Sequence, residues 1–408
     1  MTVLIVSATQ SALRFSLRDG KRVAARGHFG RLGMTNAYLE ITTGGETYSE
    51  SVRHTAHRQA LRSLIDRLHR NSHIERLLDI DTVIHRMPHG GLAFRETTLL
   101  GHDALHKLER IAHLSPHLPA AINALHGALN QLPSAQHVGV FDNAFTSTLP
   151  PEASLYALPP IVTSRFKLRR YGADGILHRQ AHREAALLLP RQRTTGRAVS
   201  VVIGDDVSVV GMIDGVARET TTGFTLAEGL PGLHRSGSID PRIPLYIATH
   251  LRIDARQVDK LLSSRSGLAA MSGKRSYEEI VEGAHASDPL CVEALMLLSY
   301  RVAQAIAGMV AMLGGIDTII FSGSGVSWVV REEVCRRLSA FGVSLGKSRS
   351  PVGVLSSPRS RVLVLGVTVS EDDALLSEAQ ELLGTRELPE TPRKPSRKKP
   401  KKHHKKKK

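Results

Sequence analysis

The chain is 408 residues long, beyond the size at which one hydrophobic core keeps growing, and its 41% hydrophobic content is enough to fill two. Of the formal charge of +16, eleven charges belong to residues 391–408, "TPRKPSRKKPKKHHKKKK"; the remaining +5 excludes a strongly basic body. Two cysteines, Cys291 and Cys335, are too few for a disulfide framework or a cysteine-built zinc site.

Residues 3–8 read as a buried strand, 12–18 as its partner, and Asp19-Gly20 as a tight turn before a third strand, 21–28. The connecting stretch, "LIVSATQSALRF" (4–15), has the small polar residues of a phosphate-holding turn but no glycine. Leu61, Leu64, Ile65 and Leu68 then form a helical stripe, 81–85 a strand, Pro119 to Leu132 a helix and 137–143 a strand. The opening pattern returns in "VSVVIGDDVSVVGMIDGVARET" (199–220), again strand, polar turn, strand, Asp-Gly, strand, which implies a duplicated unit. A long helix from about Asp288 to Leu313 follows, with Pro289 in its first turn. After it come a strand leading into Gly323-Ser324-Gly325, a helix through 331–338 and a strand at 361–367. Strands alternating with helices indicate α/β layers. The Pro-broken basic run 389–408 cannot bury apolar surface and reads as disordered, equally a solubilising tail or an arm for nucleic acid or another anionic surface. The N-terminus lacks a basic segment ahead of its apolar run, and no eighteen apolar residues follow one another. The expectation is a cytoplasmic protein without a transmembrane segment.

"GVSLGKS" (342–348) has three residues between its first glycine and Gly-Lys where a Walker A loop needs four, and is rejected. None of the twenty histidines lies in an HxxxH helix with a nearby carboxylate of the zincin type. Three stretches carry more. "HRMPHGG" (85–91) puts Arg86 at the end of a buried strand, where a cation requires an anion, and "VFDNAF" (140–145) does the reverse with Asp142. The Gly-rich run 221–241 carries Arg235 and is too long for a simple turn. Any one of these alone is satisfied by a structural salt bridge; together they favour a site for an anionic substrate.

At these residues the sequence resembles the acetate kinases. The family's "HRxxHGG" is matched at 85–91, its "FDTAF" by "FDNAF", and its "HNPAN" by "HLPAA" (117–121). Its "RRYGFHGTSH" is matched by "RRYGADGILH" (169–178), and its "GFTPLEGLMMGTRSGDIDP" by "GFTLAEGLPGLHRSGSIDP" (223–241). The resemblance, over about 1–385, implies the duplicated actin/hexokinase-like, ribonuclease H-like fold of two domains with the nucleotide in the cleft between them. The domains would be 1–145 completed by a C-terminal helix at 372–388, and 146–371. It further implies a homodimer and transfer of the ATP γ-phosphoryl group to acetate or propionate, giving ADP and an acyl phosphate, with Mg²⁺. By position, Arg86 and Arg235 would hold the acceptor and phosphoryl group, His117 would help neutralise charge and Asp142 would orient the acceptor or metal. Asp372 and Ser7 are the implied metal-side residues, and Arg14, Gly204, Asp205, Gly323 and Gly325 the nucleotide-side ones.

The nucleotide side departs from the family pattern. In the first turn the small hydroxyl positions become Gln10 and Ala12 and the glycine becomes Thr9, with Arg14 retaining the cation. Asp174 replaces a motif histidine, and the phosphate-loop "GNG" becomes Gly204-Asp205-Asp206. A carboxylate about 4 Å from a phosphate charge costs about 4 kcal/mol at an effective dielectric of about 20, unless a metal intervenes. Two expectations follow: a working acetate kinase-like enzyme, or a catalytically impaired homologue used for binding or regulation.

Overall fold

A computed structural model describes residues 1–20, 22–53, 56–70, 80–190 and 194–384. The expectation of a disordered tail at 389–408 lies outside the described residues, as do positions 385–388 of the expected closing helix.

The first sheet contains β1 (Thr2–Thr9), β2 (Ala12–Asp19), β3 (Arg22–Gly30), β4 (Tyr38–Thr43), β5 (Glu46–Ser51), β6 (Ile80–Met87), β7 (Thr98–Leu99) and β8 (Gln136–Phe141), in the order β5-β4-β3-β2-β1-β6-β8-β7. The second contains β9 (Arg197–Ile203), β10 (Val207–Ile213), β11 (Val216–Thr220), β12 (Thr318–Ser322), β13 (Gly353–Val354) and β14 (Leu363–Gly366), in the order β11-β10-β9-β12-β14-β13. In each, a central strand pairs antiparallel with its successor and parallel with a later strand: β1 with β2 and β6, β9 with β10 and β12. The two sheets therefore repeat one ribonuclease H-like arrangement, and the duplicated sequence unit forms equivalent hairpins in both. The second copy's hairpin closes on Asp214 (φ 47°) and Gly215 (φ 79°), the two left-handed positions that an Asp-Gly turn supplies at least cost. The β4-β5 hairpin extends the first sheet beyond the repeat; β5 is exposed throughout, so it has no apolar alternation by which a sequence would announce it.

Alternation along β1 sends Leu4, Val6 and Ala8 to one face and Val3 and Ile5 to the other. The first face is covered by α1 (His57–Arg70), through Leu61, Leu64, Ile65 and Leu68, and by α2 (Leu118–Gln131). The second face packs on α3 (Gly175–Leu187) and on the closing helix α6 (Glu371–Gly384). Ile176 of α3 belongs to this core, whereas its Ala181 and Ala185 pack with Ala198, Val210 and Met212 of the second sheet, so one helix is shared by both sheets. The other face of the second sheet is covered by α4 (Pro289–Leu313), started by Asp288, whose carboxylate accepts from the Leu290 N–H at 3.1 Å. This helix is long and apolar enough by composition to cross a membrane; here Leu298, Val302 and Ile306 are fully covered by the protein's own core. Trp328–Arg337 forms α5 beside it. Cys291 and Cys335 are buried free thiols in the same core.

Candidate active site

Residues at the ends of β6, β8 and β9 interact in one charged cluster, and ligands of such sheets commonly bind beyond the carboxyl ends of the strands. Register places Ser7 of β1 directly between Arg14 of β2 and Arg86 of β6. Strand β8 stops at Phe141, and the Asp142 N–H donates to the Met87 carbonyl at 3.0 Å, continuing the ladder by one residue. Asp142 thereby faces Arg86, which donates from Nε to Oδ1 at 3.3 Å and from Nη2 to Oδ2 at 2.9 Å. Its remaining Nη1 donates to Glu371, the first residue of α6, at 3.2 Å.

Two backbone devices fix this geometry. Asn143 accepts from the Gly90 N–H at 2.7 Å and donates to the Gly91 carbonyl at 3.2 Å, tying the loop after β8 to the loop after β6. The Gly175 N–H donates to the Asp142 carbonyl at 2.9 Å, which brings the start of α3, and with it Asp174, to the same place. Asp174 has the left-handed φ of 55° that aspartate tolerates, and its Oδ2 accepts from the Ser208 hydroxyl at 2.8 Å. Behind Ser208 stands the fully buried His178, 3.0 Å away through Nε2 and 2.9 Å from Ser200 through Nδ1. Burial lowers His178 to about 4, with Asp174 opposing. Because Ser208 donates its one proton to Asp174, the neutral ring is oriented: Nε2–H donates to Ser208, and Ser200 donates to Nδ1.

His117 caps α2, and its Nδ1 accepts from the Gln10 N–H at 3.3 Å. Arg235, in the Gly-rich run, forms an ion pair with Asp206, its Nη2 lying 2.8 Å from Oδ1. These groups share one electrostatic environment. Burial lowers the pKa of His117, and the charges of Arg86 and Arg235 add to the effect. Burial pushes Asp142 up to about 6, opposed by Arg86 and reinforced by Asp174 and Glu371. Arg86 is itself penalised by burial, but Asp142 and Glu371 outweigh that and raise its pKa. Asp142 still rises because its own desolvation exceeds what Arg86 returns. Asp206 goes up to about 6, again through burial first, with Arg235 and Arg86 opposing and Asp174 and Asp205 reinforcing.

Arg86, His117, Asp142, Asp174, Asp206 and Arg235 thus come together from six separate stretches. Other expected residues are placed differently. The side chain of Asp372, expected on the metal side, lies 3.7 Å from Arg18, which also holds Asp373 at 2.7 Å, while its neighbour Glu371 pairs with Arg86 in the cluster. "SEDD" offers three acids in succession, and only the helical phase of α6 separates their partners. Gly323 and Gly325 are consumed by packing: a Cβ on Gly323 would lie 2.2 Å from the Ile203 carbonyl oxygen, and one on Gly325 2.6 Å from the Ile203 side chain. In the altered turn Gln10 and Arg14 are exposed and Ala12 is half-buried. The Gly204 N–H donates to the Asp206 carbonyl at 2.9 Å, and the Asp205 carbonyl accepts from Leu233 at 2.9 Å, so this turn uses its own backbone groups.

Among the described residues no three or more His, Cys, Asp or Glu side chains are grouped to hold a metal ion. Mg²⁺ is commonly held by one or two carboxylates together with phosphate oxygens and water, and Asp142 and Glu371, on either side of Arg86, have that donor chemistry.

The model of the Acetokinase family matches residues 2–377. The chain belongs to this family. It is 32% identical over 399 residues to the acetate kinase of Thermotoga maritima, covering 94% of this chain and 99% of that one. It is also 32% identical to the acetate kinase of Coprothermobacter proteolyticus, with the same coverage. Among solved structures, Porphyromonas gingivalis acetate kinase superposes with a TM-score of 0.86 at 27% identity over 94% of this chain and 99% of that one. A propionate kinase from Francisella tularensis gives 0.85 at 25% identity over 92% and 98%. These matches agree with the doubled sheet topology, and the acetokinase chain has the actin/hexokinase-like fold implied by its motifs. Within that fold, Glu371, Asn143 and the Ser200–His178–Ser208 chain are site elements that sequence reading missed. Asn143 and His178 did lie inside matched motifs, and that was their only signal.

Proposed function

We propose that this acetokinase transfers the γ-phosphoryl group of ATP to a small carboxylate, acetate or propionate, giving ADP and an acyl phosphate. The observation that carries the reading is the meeting of Arg86, Asp142, His117 and Arg235 in one cluster between the sheets. Phosphoryl transfer passes through a charge-rich, nearly in-line transition state, so the protein's task is alignment and positive charge. Arg86 stays protonated; Asp142 takes its Nε and Nη2 and Glu371 its Nη1, which leaves one further N–H on each Nη to meet an anion. His117 is neutral, and because its Nδ1 accepts from the Gln10 amide its proton resides on Nε2, where it can be donated to developing charge. Arg235 adds the second cation. Asp142 and Glu371 would hold Mg²⁺, which neutralises phosphoryl charge when bound.

The same reading places the N-terminal domain at 1–145 with the closing helix from 372, supported by the packing of Ala374, Leu375 and Ala379 on Ile84 and Val138, and the second domain at 146–371. A cytoplasmic homodimer is part of it. Ile161, Leu245 and Tyr246 are 78%, 68% and 64% exposed, on two helices (Pro160–Phe166 and Arg242–Leu251) that bury no residue in the monomer.

The test is to mix the protein with ATP, Mg²⁺ and acetate or propionate and to trap acyl phosphate with hydroxylamine. Product that disappears in Arg86→Ala supports the proposal; its absence with both acceptors overturns it. A second reading, an impaired homologue that binds or regulates, is favoured by the Asp206 carboxylate on Arg235. In that case neither product nor an ATP-dependent thermal shift appears.

A further inference from the structure

In the sequence the turn after β9 stands where the acetate kinase pattern has its phosphate-loop "GNG"; in the fold its second aspartate reaches across to the Gly-rich run. The backbone fixes this approach, because the Leu233 N–H donates to the Asp205 carbonyl at 2.9 Å and locks the turn to the run two residues before Arg235. The Gly232 N–H donates to the Arg235 carbonyl at 3.0 Å, which holds the base of the arginine. Between these anchors Asp206 Oδ1 lies 2.8 Å from Arg235 Nη2, with side-chain exposures of 30% and 19%. The Arg235 Nε is buried and has no hydrogen-bond partner, so the guanidinium meets the carboxylate through Nη2 and leaves a donor unused.

A carboxylate is chemically the headgroup of a carboxylate substrate, and one tethered beside the guanidinium competes at a high effective concentration. We infer that Asp206 acts as an internal occupant of the Arg235 anion seat, so that any external anion binds Arg235 only by displacing it. The inference rests on the reading of Arg235 as an anion-gripping residue of the site. Asp206 is then a specificity-determining residue, because apparent affinity for an anion falls by the fraction of time the seat is open. The seat also favours ligands that arrive with their own cation, since the displaced carboxylate remains beside Asp174 and Asp205 and adds to local negative charge.

The experiment is calorimetric titration with sulfate, a dianion throughout the working pH range, at pH 7.5 and fixed ionic strength. Asp206→Asn keeps the size of the side chain and removes its charge; Asp206→Gly removes the side chain altogether. Both are expected to bind sulfate at least about tenfold more tightly than the unaltered protein. Arg235→Ala combined with Asp206→Asn is expected to abolish the gain. Thermal unfolding of each variant confirms that it is folded before titration, and either single variant is sufficient for the comparison. Unchanged sulfate affinity in the folded single variants overturns the inference, as does a gain that survives loss of Arg235. Acyl phosphate formation is scored separately. A sulfate gain without any turnover retains the Asp206 inference and removes the phosphotransferase reading, whereas turnover without a sulfate gain does the reverse.

Discussion

Arg86 meets both oxygens of Asp142, at 3.3 and 2.9 Å, from the ends of two parallel strands that are 56 residues apart in sequence. Both side chains are more than half covered, so neither charge is tolerable without the other. Arg86→Ala is expected to lower the rate of acyl hydroxamate formation by about 10²–10³, the size of effect seen when one preorganised donor is lost. It also leaves Asp142 uncompensated, at a cost of about 3–5 kcal/mol in denaturant unfolding. Asp142→Asn is expected to lose comparable activity with a smaller loss of stability, because no buried carboxylate is stranded. Equal stability losses in the two variants would contradict the pairing argument.

Glu371 and Asp372 are adjacent on α6 but serve different partners, Arg86 and Arg18 respectively. Glu371→Gln is expected to raise the Mg²⁺ concentration needed for half-maximal acyl phosphate formation. Asp372→Asn is expected to leave that concentration unchanged and to shift stability by less than about 1 kcal/mol, as its carboxylate is over a third exposed. A Mg²⁺ titration of both variants checks this, and the reverse order would assign the metal side to Asp372.

The fold was legible where apolar periodicity and turn chemistry coincide. The repeated strand-turn-strand unit became two equivalent hairpins, and the long helix begins and ends within a residue of its expected bounds. The β4-β5 extension was illegible because its outer strand buries nothing. In the site, strand-end charges such as Arg86 and Asp142 stood out because an ion at the end of an apolar run requires a partner. Glu371 did not, because three consecutive acids carry no spacing information. That the opening turn supplies the donor that orients His117 was not legible, because the bond uses a backbone amide, which every residue but proline would supply.

His117 accepts from the Gln10 amide through Nδ1 and is surrounded by positive charge. Its pKa is lowered by burial and by Arg86 and Arg235, so it stays neutral at pH 7 with its proton on Nε2. Nitrogen-15 NMR of the labelled imidazole is expected to show the Nε2–H tautomer and a titration midpoint below 6.5. Arg86→Ala is expected to move that midpoint upward. An Nδ1–H tautomer would remove His117 as the donor.

Asp206 is lifted to about 6 in the folded protein, primarily by burial, with Asp174 and Asp205 reinforcing and Arg235 and Arg86 opposing. The Tyr277 phenol also feels Asp206, and its pKa is raised mainly by burial. An unfolded aspartate titrates near ~3.9, so between about 4 and 6 the folded state binds more protons than the unfolded one. Stability from this residue is therefore fully present at low pH and is lost as pH rises through that window. Asp206→Asn lacks this contribution, so its melting temperature relative to the unaltered protein is expected to climb from pH 4 to pH 6.5 and then level off. A constant difference across that range would show that Asp206 ionises as freely in the folded chain as in the unfolded one.

Gly323 follows β12 with φ of 105°, a region nearly closed to residues with a side chain. Its missing Cβ is matched by the Ile203 carbonyl, which would lie 2.2 Å from that atom, and backbone at that position cannot move without disturbing β9, the central strand of the second sheet. Gly323→Ala therefore combines backbone strain with a steric clash, and its expected cost is about 3 kcal/mol or more. A glycine retained only for phosphate approach would behave differently, because an alanine there weakens nucleotide binding while the melting temperature holds. Thermal unfolding of Gly323→Ala without nucleotide separates the two: a fall of several degrees assigns the glycine to packing against Ile203, and an unchanged melting temperature assigns it to ligand approach.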